Sequence, residues 1–310
     1  MGPTLQFPTI RIGDPLRHDA LTVFPLLAAQ IAEAGVDSLL SDEAVATGSV
    51  TVEEVSESGS VPTLLVTNRS QRRVLFLEGE ELRGAKQNRV LNTSVLIAAG
   101  ARTTIPVSCV EQGRWRFRSR QFSPSQTSSS SKLRRRLKES VSRSLREGQG
   151  HRSDQGAVWS EVTRQMTSLG SSSETMAMAD TYESYRPRLE EFRKNLSYPA
   201  GATGLAVAIG PDVVALDVFD KPATCQKVWD RLLSGFVMDA LEARPGQGQA
   251  GHADIERFLE RLNRATWQES PPVGEGREFR AEADPQTHAS ALVFEASLLH
   301  GSAVADAPTA

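Results

Sequence analysis

Between residues 50 and 110 the chain alternates short apolar runs with polar turns, and nothing else constrains its fold as strongly. Residues 50–55 and 62–67 alternate apolar with polar, residues 68–71 form a turn signal, and residues 74–77 are a short apolar run. Residues 90–98 and 104–110 are two further runs, ended by Gly100 and Gly113. Runs of this length and period predict antiparallel meanders. Trp115 and Phe117 then alternate with Arg114, Arg116 and Arg118, the pattern of a half-exposed strand.

Helical spacing frames this region. Leu26, Leu27, Ile31 and Ala34 predict a helix over residues 21–34, with Pro25 early enough to be tolerated. Residues 123–131 are Ser-rich and contain Pro124, which predicts a flexible loop. Leu133, Leu137, Val141 and Leu145 place a helix over residues 132–147. Residues 155–166, capped by Asp154, and 173–196 read as two more helices. Residues 204–209 and 213–218 make a hairpin about Gly210-Pro211-Asp212. Helices over 228–241 and 254–266 and closing strands over 278–282 and 291–299 follow, with a frayed end from Gly301. Strands in runs, then helices, then strands argue for an α+β class: antiparallel β-strand meanders with a central helical insertion and closing C-terminal strands. We read residues 1–310 as one α+β domain with a flexible loop at 123–131, because the hairpin at 204–218 offers more sheet for the first half to join.

With 38 acids against 35 bases the net charge is −3, so no global field draws the chain to nucleic acid or to an anionic membrane. Two cysteines, Cys109 and Cys225, cannot build a disulfide framework. The start, Met-Gly-Pro-Thr-Leu-Gln, lacks the basic and apolar regions of a signal peptide. No apolar run approaches the roughly 20 residues of a membrane span. The expected address is the cytoplasm.

The segment Glu78-Gly79-Glu80-Glu81-Leu82-Arg83-Gly84-Ala85-Lys86-Gln87-Asn88-Arg89-Val90-Leu91-Asn92 is the candidate working site. It joins two apolar runs through a connection longer than a tight hairpin needs. Lys86 and Arg89 suit phosphate or carboxylate. Glu80 and Glu81 suit ribose hydroxyls, a metal or proton transfer. Glu80 and Lys86 are the catalytic candidates; Glu81, Gln87, Arg89, Asn92, Glu111 and Arg114 are the ligand-binding ones. The bland alternative is a solvated loop whose charges pair internally. Gly79-x4-Gly84-Ala85-Lys86 is no phosphate-binding P-loop, because Ala85 intervenes, Gln87 replaces the Mg²⁺-binding hydroxyl, and a strand rather than a helix follows. Neither a dinucleotide-binding glycine fingerprint nor a serine-hydrolase elbow is present.

Other features read as structural. Cys109 has little nearby to activate it and fits a small core residue. Residues 132–147 carry seven bases against two acids, a surplus that suits RNA or polyphosphate but fits a solvated helix face better. Histidines 18, 151, 252, 288 and 300 lack zinc spacing, and His300 reads as structural. The cofactor stays unassigned, with Mg²⁺ on Glu78, Glu80 or Glu81 left open.

The segment from Glu78 to Asn92, followed by Ile105-Pro106-Val107-Ser108-Cys109-Val110-Glu111-x-Gly113-Arg114-Trp115, resembles the ARG and rhodanese-phosphatase-superfamily-associated domain family. ARG stands for ADP-ribosylglycohydrolase. The likeness runs from Leu21-Thr22-Val23-Phe24-Pro25-Leu26 through Asp154-Gln155 and Trp159 to Val207 and Trp229, most of the chain. It implies a role near NAD or ADP-ribose metabolism, with ADP-ribose-processing enzymes as partners. The expectation is binding or processing of an ADP-ribose-like or related phosphorylated ribosyl metabolite. An enzyme of this kind would be a hydrolase or transferase at a ribosyl or phosphoryl centre. The alternative is a non-catalytic regulatory or adaptor protein for a protein or RNA partner. Convergence of residues 78–92 in one concave site would favour the first; scatter would favour the second.

Overall fold

The computed structural model describes residue 5 and residues 7–28, 36–243 and 248–306. Strands β1 (Ile10–Ile12), β2 (Leu16–His18) and β3 (Leu21–Ala28) precede β4 (Ser38–Leu40), helix α1 (Ser41–Ala46), β5 (Val50–Glu54) and β6 (Thr63–Asn68). Then come β7 (Arg73–Phe76), β8 (Glu80–Gly84), β9 (Arg89–Leu91), β10 (Val95–Ile97), β11 (Arg102–Cys109) and β12 (Gln121–Ser128). Four helices follow: α2 (Ser131–Arg146), α3 (Gln155–Ser168), α4 (Met178–Ser184) and α5 (Arg186–Asn195). The hairpin β13 (Gly204–Ile209) and β14 (Asp212–Phe219) leads to α6 (Pro222–Leu241) and α7 (His252–Arg264). Strands β15 (Gln268–Ser270), β16 (Arg277–Asp284), β17 (Thr287–Phe294) and β18 (Ser297–Ala305) close the order. The architecture is α+β and mostly antiparallel.

The meanders close into a six-stranded barrel in the order β11-β6-β5-β12-β8-β9. Alternation explains the closure: β6 buries every second residue, Leu64, Val66 and Asn68. Each strand sends an apolar side chain into a shared cluster: Val52 from β5, Leu64 from β6, Leu82 from β8, Leu91 from β9, Ile105 from β11 and Phe122 from β12. Each such burial is worth about 1.5–3 kcal/mol. A small sheet, β10-β7-β4, packs its Val74 and Phe76 into the same cluster.

A second sheet runs β1-β3-β13-β14-β18-β17-β16-β15, with β2 also on β3. One of its faces meets α2 and α6 through Leu133, Leu137, Trp229 and Phe236. The other meets α7 through Ile255, Phe258 and Leu262. No helix among the described residues is long and apolar enough to cross a membrane.

Several expectations need correction. The helix predicted over residues 21–34 is strand β3 as far as Ala28, and residues 29–34 lie outside the described residues. Val23 enters one apolar cluster and Phe24 the other. A strand buried on both faces has no period-2 signature, so helical spacing was satisfied by accident. The Ser-rich loop at 123–131 is strand β12 to Ser128, then the Ser130 cap of α2. Residues 115–117, expected as strand, are irregular. The helix expected over 173–196 is split at Tyr185 into α4 and α5. The closing strand expected over 291–299 is two strands, β17 and β18, parted by a turn at residues 295–296, and the end expected to fray from Gly301 is buried in β18 between β14 and β17. The bases of α2 are not all solvated, because Arg134 and Lys138 are fully buried.

Candidate functional site

The segment expected as a polar connection is itself barrel wall. Residues 80–84 form β8 and residues 89–91 form β9, pairing Glu81 with Val90 and Leu82 with Arg89. The short link between them is tightly turned. Gly84 has φ +132°, and a Cβ there would sit 2.6 Å from the Gln121 carbonyl oxygen and 2.7 Å from Ser119 Oγ. Only glycine fits such a position.

Arg114 clamps this link. Its Nε and Nη2 donate to the two oxygens of Glu111 at 2.8 and 2.7 Å. Its Nη1 donates to the Ala85 carbonyl at 2.6 Å, and its Nη2 to Asn88 Oδ1 at 3.2 Å. Glu111 also accepts from the Asn88 amide and from Thr175 Oγ1, each at 3.0 Å. Burial raises the Glu111 carboxyl, but Arg114 and these donors outweigh it and hold it below the usual carboxylate range. Glu111 and Arg114 are thus saturated by protein groups.

At the end of the barrel beside this clamp the pairing is incomplete. Arg89 is fully buried, and its Nη1 donates to the Gln87 carbonyl at 3.2 Å and to Gln87 Oε1 at 3.1 Å. Its Nε and Nη2 have no hydrogen-bond partner, and neither carboxylate oxygen of Glu54 has one. Arg89 Nη2 stands 3.8 Å from Glu54 Oε1, close enough for attraction but too far for a hydrogen bond. Burial lowers the Arg89 pKa from its ordinary value. Lys86 Nζ donates to the Ser58 carbonyl at 2.8 Å and lies 5.2 and 5.0 Å from the ring centres of Trp115 and Phe117. Those rings are 48% and 52% exposed and cover the group, whose Arg89 and Glu54 side chains are buried beneath them. Cys109 is buried nearby, its Sγ donating to Gln87 Oε1 at 3.1 Å, and burial pushes its thiol up, which makes it inert packing. A cleft of about 280 Å³ opens on the other side of the link, lined by Arg83, Asn88, Arg118, Asp180 and Glu183.

Of the residues singled out in the sequence, Lys86, Gln87, Arg89, Glu111 and Arg114 come together here. Glu80, Glu81 and Asn92 do not. Glu80 accepts from Ser41 Oγ and from the Leu77 amide at 3.2 Å, with Arg231 Nη1 at 3.5 Å. Burial there raises its pKa despite Arg231. Glu81 is held by Arg83 Nε at 2.7 Å and Thr127 Oγ1 at 2.9 Å. Asn92 Nδ2 donates to the His151 carbonyl at 2.9 Å. Glu78 pairs with Lys138, so the three carboxylates left open for Mg²⁺ serve three different partners. Among the described residues no group of three or more His, Cys, Asp or Glu is arranged for a metal.

A second charged cluster lies under α2. Arg134 grips Asp217, Nη1 to Oδ2 at 2.9 Å and Nη2 to Oδ1 at 2.5 Å, and Nη2 also donates to Ser302 Oγ at 2.6 Å. His300 Nε2 meets Asp217 Oδ1 at 3.0 Å, and its Nδ1 meets Ser94 Oγ at 2.7 Å. Lys138 Nζ donates to Glu78 Oε2 at 2.7 Å. Burial raises Glu78, but Lys138 and Arg134 bring it below the usual range; burial, aided by Arg134 and Arg280, pulls Lys138 down to about 8. Sequence reasoning missed Glu54, Asp217, Arg134 and Lys138 as members of any cluster. One signal was available: Arg134 and Lys138 share the three- and four-residue spacing of Leu137 and Val141, which puts them on the inward stripe of α2.

A family model described as the ARG and Rhodanese-Phosphatase-superfamily-associated Protein domain matches residues 9–304, and the chain belongs to that family. No curated protein and no solved structure matches it.

Proposed function

We propose, from membership of a family named for its association with ADP-ribosylglycohydrolases, that the Arg89 end of the barrel binds an ADP-ribose-like or related phosphorylated ribosyl metabolite, with Trp115 and Phe117 moving aside to admit it. The observation that carries this reading is the buried, half-partnered Arg89 facing an unpartnered Glu54. Buried polar atoms in folded proteins almost always have partners, so two nitrogens and two oxygens left free side by side support a ligand between them. Arg89 and Lys86 offer charged donors for a phosphate. Glu54 offers acceptors for ribose hydroxyls or a proton-transfer group, the role that Glu80 cannot fill while Ser41, the Leu77 amide and Arg231 engage it. Trp115 and Phe117 offer a stacking surface for a base. If chemistry runs here, hydrolysis or transfer at the ribosyl or phosphoryl centre is the class this donor set serves. Enzymes that process ADP-ribose fit as partners.

Calorimetric titration with ADP-ribose, with and without Mg²⁺, tests it. Lys86→Ala should weaken wild-type binding more than tenfold, the loss of about 1.5–3 kcal/mol from one charge-assisted hydrogen bond. No heat with the wild type under either condition would sink the reading.

A further inference from the structure

Three large apolar side chains are exposed among the described residues: Val55, Trp115 and Phe117. Two of them sit in one short stretch, Trp115-Arg116-Phe117-Arg118-Ser119-Arg120, in which every residue is exposed. Exposed aromatics this large cost solvation free energy and mark a binding surface when they cluster. The stretch is not slack. Arg114 bonds the Arg116 carbonyl at 2.9 Å, the Arg118 amide donates to the Ala85 carbonyl at 2.9 Å, and Ser119 Oγ accepts from the Ala85 amide at 3.0 Å. At its base the Gly113 amide donates to the Thr175 carbonyl at 2.8 Å. The rings are therefore held half-exposed by a fixed backbone, over Lys86 and, for Trp115, Arg89.

Charge gives the partner. Arg114 is neutralised by Glu111. No acid among the described residues pairs with Arg116, Arg118 or Arg120. Of the nearby acids, Glu53 meets Gln121 Nε2, Glu183 meets Arg186, and the unpartnered Glu54 is buried facing Arg89. Three free guanidiniums interleaved with two exposed aromatic rings match single-stranded nucleic acid: phosphates meet Arg, and bases stack on rings. We propose that residues 115–120 form a docking surface for single-stranded nucleic acid, beyond the small-molecule reading of the barrel end. The sequence excluded a global attraction to nucleic acid at net charge −3, and a local patch does not need one.

The test is fluorescence anisotropy with labelled oligouridylate and oligothymidylate of about 12 nucleotides. Binding should weaken with salt, log K falling with a slope near −2 for about three phosphates neutralised. Replacing Arg116, Arg118 and Arg120 together by Ala should weaken it at least tenfold while the melting temperature and ADP-ribose binding stay as in the wild type. Trp115→Ala should weaken it about fivefold or more and remove quenching of the exposed tryptophan. No anisotropy change at low salt would overturn the proposal. So would equal binding by the triple variant, indifference to Trp115→Ala, or capture of an acidic peptide in place of the oligonucleotide. Because the triple variant leaves Lys86 and Arg89 intact, failure here and failure of ADP-ribose binding are separate results.

Discussion

The Arg89 end of the barrel and the cluster under α2 are built from the same materials and differ in how many of their bonds the protein itself makes. Both bury arginine, lysine and carboxylate side chains. Under α2, Asp217 receives two nitrogens of Arg134 and the ring of His300, and Lys138 closes on Glu78. At the barrel end Arg89 and Glu54 stand 3.8 Å apart with free nitrogens and oxygens. The difference is one of degree: Arg134, Asp217, Lys138 and Glu78 each keep a charge-assisted hydrogen bond, whereas neither oxygen of Glu54 has a partner. The more fully bonded network holds α2 to the β14–β18 pair, although there too Arg134 Nε and Glu78 Oε1 stand 3.7 Å apart without a hydrogen bond.

This contrast can be broken most directly at Asp217. Asp217→Ala leaves the buried Arg134 guanidinium without its counter-charge and should cost about 3–5 kcal/mol in urea unfolding at neutral pH. A loss under about 1 kcal/mol would mean that the network holds nothing. Acid gives the next effect. Burial raises the Asp217 carboxyl, but Arg134 and His300 outweigh it, so the native group sits below the roughly 3.9 of an unfolded Asp. The unfolded chain then takes up the proton first. The contribution of Asp217 is full above about pH 4 and is lost as pH falls through the native value. Unfolding free energy measured from pH 6 downward should drop, and Asp217→Asn should flatten that drop. The smallest stability effect belongs to the barrel end. Arg89→Met removes a charge whose desolvation was never fully offset, so unfolding should change by about 1 kcal/mol or less while ADP-ribose affinity falls more than tenfold. A stability loss as large as that of Asp217→Ala would erase the distinction between the two regions.

Much of the architecture was legible because it rests on local period. The alternation of β5 and β6, the hairpin at Gly210 and the Asp154 cap, whose Oδ1 accepts from the Ala157 amide at 3.0 Å, all read directly. What misled was long-range context. The serines at the end of β12 and just beyond it looked like loop because their partners are distant: the Ser128 amide donates to Ser234 Oγ at 3.0 Å, and Ser129 Oγ to the Gly79 carbonyl at 3.0 Å. Arg134 looked like solvated face because Asp217 and Ser302 lie far along the chain. Within the candidate site, residue type singled out the segment 78–92, yet it could not say that Lys86 and Arg89 come together while Glu80 and Glu81 face other partners. Alternation in β8 and β9 aims neighbouring side chains at different elements, and only the closed barrel decides which face is which.

The order in which the sheets are completed has a consequence for synthesis. All six barrel strands lie between Val50 and Ser128, so a ribosome delivers every barrel partner in one continuous stretch. β3 instead pairs with β13, which begins at Gly204, and β14 waits for β18, which begins at Ser297. While the barrel closes, β3 emerges with an edge bare and apolar residues on both sides. Nascent chains stalled between Ser128 and Gly204 should be protease-resistant over the barrel and bound by holding chaperones near the amino terminus, and translation speed across α2 to α5 would set how long that exposure lasts.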